Sequence, residues 1–288
     1  SPKPPGYHGA MVEGFAEGLA SADIRLVVAD MDGTLLDGSG RVPDAFWPML
    51  DELTARGIAF VPASGRQYYT LADIFARHRG VLSYVAENGS MVMHGGDLLT
   101  SSIVDPQVVD GVLETVRTSR DHGYDLRLIV HRIDGAFIES DDDEFIGHAR
   151  QYCARLDHVD DQAQVPGDVV KLAIYDFGDA EQSAANLLAP VARDHQMAVS
   201  GKHWIDVTAP GTHKAIGVRA LQGLLGAGPA NTVVFGDYLN DLEMLDAAEW
   251  SFAMSNAHPE VRNRARFLAP SNAEAGVVSV LRQMLDGR

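Results

Sequence analysis

Two aspartates stand two residues apart in Asp30-Met31-Asp32-Gly33-Thr34-Leu35-Leu36-Asp37, directly after the apolar run Ile24 to Ala29. A short, nearly continuous apolar run has the character of a buried parallel strand. Asp30 is therefore expected at the C-terminal end of that strand, the edge at which open α/β sheets bind ligands. Gly33 permits a turn after Asp32, which lets both acids converge on one point. Convergent carboxylates suit a hard cation such as Mg²⁺, which takes oxygen ligands. A turn that uses Asp and Gly for backbone reasons accounts for the same residues.

Three further stretches invite the same kind of reading. Ser64-Gly65-Arg66 follows the apolar run Ile58 to Ala63 and precedes a helical pattern from Gln67. A hydroxyl and unbonded N–H groups at a helix start make an anion site, although a plain N-cap serine looks identical. Lys214 falls in the first turn of a helix beginning near Thr212, where it opposes the helix dipole unless an anion is near; a surface lysine is the alternative. Gly236-Asp237-Tyr238-Leu239-Asn240-Asp241 follows the run Asn231 to Phe235. Asp237 and Asp241 beside Asp30 and Asp32 would repel one another unless a cation sat among them, and a capping loop is the plainer account. Each simple explanation stands alone. Together they leave unexplained why all four stretches fall at a strand end or helix start, in an order that a parallel sheet could bring to one edge.

The elements that would position them alternate. Strand-type runs at Ile24–Ala29, Ile58–Ala63, 231–235 and 250–254 are separated by helical patterns at about 44–56, 67–79, 213–225, 240–248, 258–265 and 273–285. This predicts an α/β fold with a doubly wound, mostly parallel sheet. Pro48 inside the first helical pattern requires a late start or a kink. The middle of the chain differs. Asn88-Gly89 and Gly95-Gly96-Asp97 are hairpin-type turns, and Leu126–His131, Ala136–Glu139 and 169–175 read as strands. Helical patterns lie at about 105–121, 141–155 and 179–195. This predicts an α+β insert over 101–206, with a core formed by 21–100 and 207–288. Residues 1–20, rich at their start in Pro and Gly, are set aside as an extension.

Composition narrows the function classes. The net charge of −17 offers no basic stripe for nucleic acid. It also means that any site for anionic substrates must be made locally positive. No apolar run reaches roughly 18 residues, so no membrane span is predicted. The single cysteine, Cys153, lies in a helical pattern, reads as a small buried thiol and fits a reducing cytoplasm. His131, His203 and His213 lack metal-ligand spacing and read as structural or surface residues. The acids Asp141 to Glu144 suit a helix start, and Gly223, Gly226 and Gly228 suit a helix end.

In combination, the four stretches resemble the haloacid dehalogenase superfamily of phosphohydrolases, whose signatures are DxDGT, SGR, a lysine and GDxxND. The insert between the second and third signatures is similar to the cap of the Cof-type branch (type IIB), as is the Asn88-Gly89-Ser90 hairpin. The resemblance runs from about Ile24 to the C-terminus. One departure is Lys214-Ala215 where the family often has Lys-Gly, which leaves the charge in place.

The resemblance implies a Rossmann-like core with a substrate-selecting cap. It implies a Mg²⁺-dependent phosphatase acting on small phosphorylated metabolites, either sugar phosphates or cofactor-related phosphates. Asp30 would be the nucleophile and form an aspartyl-phosphate, and Asp32 the acid and base. Ser64, Gly65, Lys214 and Asn240 would handle the phosphoryl group. Asp30, Asp32 through its main-chain carbonyl, Asp237 and Asp241 would hold the metal, Asp241 from an outer position. Arg66, Asn88 and Lys171 are candidates for contacting the rest of the substrate. A phosphomutase or phosphotransferase using the same intermediate, and a non-catalytic binder of phosphorylated ligands, share these residues.

Overall fold

The structure, a computed structural model, describes residues 15–78, 80–199 and 202–287. Residues 1–14 of the expected extension lie outside the described residues, whereas Phe15–Ser21 is a helix with Leu19 fully buried. The fold therefore begins earlier than residue 21, because a leucine two residues upstream is part of the core. The chain separates into two compact units, Ser1–Ser64 with His213–Arg288, and Gly65–Thr212. The expected insert, 101–206, lies inside the second unit, which also takes in residues 65–100 and 207–212.

In the first unit the strands Phe267–Ala269, Trp250–Met254, Thr232–Gly236, Leu26–Asp30 and Ala59–Ala63 lie side by side in that order, each parallel to its neighbour. Leu26–Asp30 and Thr232–Gly236 are buried at every position, which is why their sequences run apolar without alternation. The intervening helices bury one face each. Phe46–Ala55 buries Phe46, Met49, Leu50 and Leu53, and Gly276–Asp286 buries Val277, Val280, Leu281, Met284 and Leu285, both at helical spacing. This is the α/β frame with a parallel sheet that the alternating pattern predicts. Pro48 causes no kink. The helix starts at Phe46, so Pro48 falls in the first turn, where its missing N–H has no intrahelical partner to lose.

The second unit contains an antiparallel meander, Ser83–Ala86, Met91–His94 and Asp97–Ser101, turned by Asn88-Gly89 and Gly95-Gly96 as expected. It also contains a six-stranded sheet ordered Gln196–Val199, Trp204–Thr208, Val169–Asp176, Leu126–Arg132, Ala136–Ile138, Leu156–His158. Its pairings are antiparallel except the last. Val169–Asp176 is buried along its whole length because both its faces are covered. Leu172 and Ile174 pack with Val108 and Val112 of the helix Pro106–Arg117. Ala173 and Tyr175 pack with Phe145 and Ala149 of the helix Asp143–Tyr152. Asp142 caps that second helix, accepting from the Phe145 N–H at 2.9 Å, so the acidic run starts a helix as predicted.

One expected helix is broken. The pattern over 179–195 folds as Ala180–Ser183, a widened turn Ala184–Leu188, and Ala189–Ala192. Pro190 cannot donate to the carbonyl one turn earlier and crowds it, so the helix widens there.

Candidate active site

Strand register brings Asp30, Ser64 and Asp237, from the first, second and fourth sequence stretches, to one edge of the first unit. Asp30 pairs with Ala63, so Ser64 is the next residue on the adjacent strand. Ala29 pairs with Phe235, so Gly236 and Asp237 follow on the other side. After Asp30 the chain turns tightly through Gly33, whose φ of 80° an L side chain rarely adopts. Gly33 also has no room for one, since an added Cβ would lie 2.3 Å from Asp237 Oδ2. Thr34 Oγ1 donates to Asp237 Oδ1 at 2.9 Å, and Asn256 Nδ2 donates to the Gly33 carbonyl at 2.8 Å. Glycine at this turn thus serves both the backbone and the neighbouring acid.

Lys214, at the start of the helix Lys214–Leu225, is fully buried. Its ammonium lies 2.5 Å from Asp30 Oδ1 and 2.7 Å from Asp241 Oδ1. Asp241 spends its other oxygen on the main-chain N–H groups of Asp237 (2.9 Å) and Tyr238 (3.2 Å). It therefore braces both the lysine and the loop that carries Asp237. Carboxylate oxygens of Asp30, Asp237 and Asp241 lie within 4.8 Å of one another.

The electrostatics follow from crowding three acids around one ammonium. Burial pushes the Asp30 carboxyl well above its ordinary range; Lys214 opposes this, and the charges of Asp241 and Asp237 add to it. Burial and then Asp241 push Asp237 up to about 6. Lys214 is pulled down by burial, but Asp241 and Asp30 outweigh that and keep it charged. Carboxylates reluctant to ionise together, offering only oxygen donors, are suited to a divalent metal that would neutralise them. The set fits such an ion.

Other expected site residues are located as follows. Asp32 has an exposed side chain and extended main-chain angles, φ −74° and ψ 120°. Ser64 is 2% exposed, and Asn240 is exposed in the turn Leu239–Asp241. In the second unit, Arg66 donates to the Gln151 carbonyl at 3.0 Å and lies over the Tyr152 ring. Asn88 Nδ2 donates to Asp206 Oδ2 at 3.1 Å. Lys171 is 4% exposed, with its ammonium 2.6 Å from Glu87 Oε2 and 2.8 Å from the Gly65 carbonyl. Sequence reasoning missed Thr34, Asn256 and Glu87. Thr34 and Glu87 each adjoin a residue that was singled out, and nothing in the sequence flags Asn256.

The profile of the haloacid dehalogenase-like hydrolases matches residues 27–281. The chain belongs to this family. It is a phosphohydrolase of the Cof-type branch, a phosphoric monoester hydrolase. A 5-amino-6-(5-phospho-D-ribitylamino)uracil phosphatase of Escherichia coli is 33% identical over 265 residues, covering 91% of this chain and 96% of that protein. An HMP-PP phosphatase of Cronobacter sakazakii is 27% identical, covering 82% of this chain and 86% of that protein. Among solved structures, a protein from Eubacterium rectale superposes with a TM-score of 0.80 at 29% identity, covering 91% of this chain and 99% of that one. A haloacid dehalogenase-like hydrolase from Bacteroides thetaiotaomicron has the same fold, with a TM-score of 0.80 at 22% identity, covering 91% and 99%. Among the described residues, no helix is long and apolar enough to cross a membrane.

Proposed function

We propose that this hydrolase uses Mg²⁺ and a covalent aspartyl-phosphate on Asp30. The observation that carries the reading is the meeting of Asp30, Asp237 and Asp241 within 4.8 Å, with the Lys214 ammonium on Asp30. A carboxylate cannot approach a phosphate dianion unless cations screen both. Asp30, Asp237 and Asp241, with the Asp32 main-chain carbonyl, would hold the ion. When bound, the metal supplies charge neutralisation for the phosphoryl oxygens and keeps the acids ionised.

The chain's own groups then do the following. An Asp30 carboxylate oxygen forms a bond to phosphorus as the ester P–O bond breaks. Asp32 gives its proton to the departing alkoxide. In the second half, Asp32 takes a proton from water while the water oxygen bonds to phosphorus. The bond from Asp30 to phosphorus breaks, which returns the carboxylate and releases inorganic phosphate. Lys214, Ser64 and the N–H groups after it stabilise the oxygens in both halves, and Asn240 assists.

The substrate reading rests on the Escherichia coli relative, which acts on a phosphorylated ribityl chain bearing a uracil ring. A small phosphorylated metabolite of the cofactor-precursor kind is the class proposed, with residues 101–206 as the cap that selects it. The acidic chain and lone Cys153 support a small-molecule substrate handled in a reducing cytoplasm. The test is phosphate release from a panel of sugar phosphates and ring-bearing phosphates, with and without Mg²⁺. Metal-dependent release that disappears in Asp30→Asn is the expected result. Release without metal, or wild-type turnover in that variant, overturns the mechanism.

A further inference from the structure

We propose that Lys171, Glu87 and His131 form a positioning unit that fixes the peptide between Gly65 and Arg66, and through it the phosphate-binding turn that begins at Ser64. The inference rests on the phosphatase reading above. It gives Lys171 a role inside the protein in place of contact with the substrate.

Lys171 lies in the strand Val169–Asp176, on the face shared by Ala173 and Tyr175, where an apolar residue would be expected. A lysine buried there is costly unless its charge is matched. Glu87, fully buried, matches it at 2.6 Å. The other Glu87 oxygen lies 2.9 Å from Nδ1 of His131, itself 1% exposed. Burial pushes His131 down in pKa while Glu87 opposes that, and the ring is a hydrogen-bond partner of Glu87. With its charge matched by Glu87, the Lys171 ammonium also donates to the Gly65 carbonyl at 2.8 Å.

Glu87 holds the next carbonyl as well. The main-chain N–H of Glu87 donates to the Arg66 carbonyl at 3.1 Å. One residue later, the Gln67 N–H donates to the Tyr152 carbonyl at 3.2 Å. The Gln67 side chain exchanges two 2.9 Å bonds with the main chain of Arg155. Every residue from Gly65 to Gln67 is thus tied within the second unit. In a planar trans peptide the carbonyl and the following N–H point in opposite directions. Fixing the Gly65 carbonyl therefore aims the Arg66 N–H, one of the N–H groups that follow Ser64.

Two observations argue that this arrangement is more than a buried ion pair. Glu87 and Asn88 are consecutive non-glycine residues with φ of 52° and 56°. A left-handed backbone at such residues is strained, and strain of this kind persists where surroundings over-determine it. Gly65 is packed directly beneath Asn88, since a Cβ there would lie 3.1 Å from the Asn88 amide. Strand packing alone requires neither the strained turn nor a lysine at 171. An apolar residue would fill the strand position at less cost.

The test uses the full-length enzyme with Mg²⁺. Lys171→Met keeps the bulk and removes the donor. KM and kcat are measured with p-nitrophenyl phosphate, and binding of inorganic phosphate by calorimetry. Phosphate affinity is expected to fall and KM to rise by about ten- to a hundredfold, while half-saturation by Mg²⁺ stays at the wild-type value. On a Ser64→Ala background, the same substitution is expected to add less than about twofold, because both act through one turn. If Lys171→Met does not fold, Glu87→Gln, nearly the same size, is read the same way. Wild-type phosphate affinity in a folded variant, or full additivity with Ser64→Ala, overturns the inference. Because phosphate binding is read without turnover, it is distinguishable from failure of the aspartyl-phosphate mechanism, which Asp30→Asn tests.

Discussion

Replacing Glu87 by Gln should weaken the second unit in a way that depends on pH. Burial alone would raise the Glu87 carboxyl, but His131 and Lys171 outweigh it and hold the group down at about 2, from an ordinary 4.5. A difference of that size corresponds to roughly 3 kcal/mol in favour of the folded, ionised form. Because the folded value is the lower one, this contribution is present above pH 4.5 and is lost as the pH falls through about 2. The assay is amide exchange along the strand Val169–Asp176, compared between wild type and Glu87→Gln from pH 7 to pH 2 in roughly half-unit steps. The wild type should be more protected by about 3 kcal/mol near neutrality, and the gap should close as acid neutralises Glu87. A gap that stays constant into strong acid, or widens, would refute the claim that an ionised Glu87 bonded to Lys171 and His131 holds this region.

Other outcomes follow from the same geometry. Lys214→Met leaves the Asp30 and Asp241 carboxylates buried without their ammonium. It should cost about 3–5 kcal/mol in metal-free urea unfolding and lower kcat by at least about a hundredfold. Gly33→Ala puts a methyl group 2.3 Å from Asp237 Oδ2 at a φ of 80°. Calorimetry with Mg²⁺ should show affinity reduced by about tenfold or more, with a stability loss of about 1–2 kcal/mol. Cys153 is buried and its thiol is pushed up to about 12 by burial. Thiol reagents should therefore leave it unmodified in the native protein and react once denaturant opens the second unit.

How much of this was legible depends on whether the information was local. Asp30, Ser64 and Asp237 could be read because each directly follows an apolar strand, and parallel register does the rest. The bracing of Lys214 by Asp241 could not be read, because it depends on where a lysine side chain ends after a helix packs. Glu87 was hidden by its neighbours. Asn88-Gly89 announces a turn, but nothing nearby says that the preceding acid points inward to a lysine on a distant strand. The break near Pro190 was not read, because the helical period over 179–195 dominated; one missing N–H overrules it. The strand Trp204–Thr208 was obscured because Trp204, Asp206 and Thr208 alternate with Ile205 and Val207 over too short a span to stand out.

The polypeptide passes from the first unit to the second between Ser64 and Gly65, and returns between Thr212 and His213. Both seams adjoin residues of the reactive edge, yet Asp30, Ser64, Lys214, Asp237 and Asp241 all lie on the same side of them. A whole cassette could therefore be spliced in or out over evolutionary time without deleting any of those side chains. What a replacement cassette must supply is a grip on the first seam, the task that Lys171 performs on the Gly65 carbonyl in this chain. Sequences that carry a differently shaped insert should then solve that one mechanical requirement anew, with whatever donor their own sheet presents.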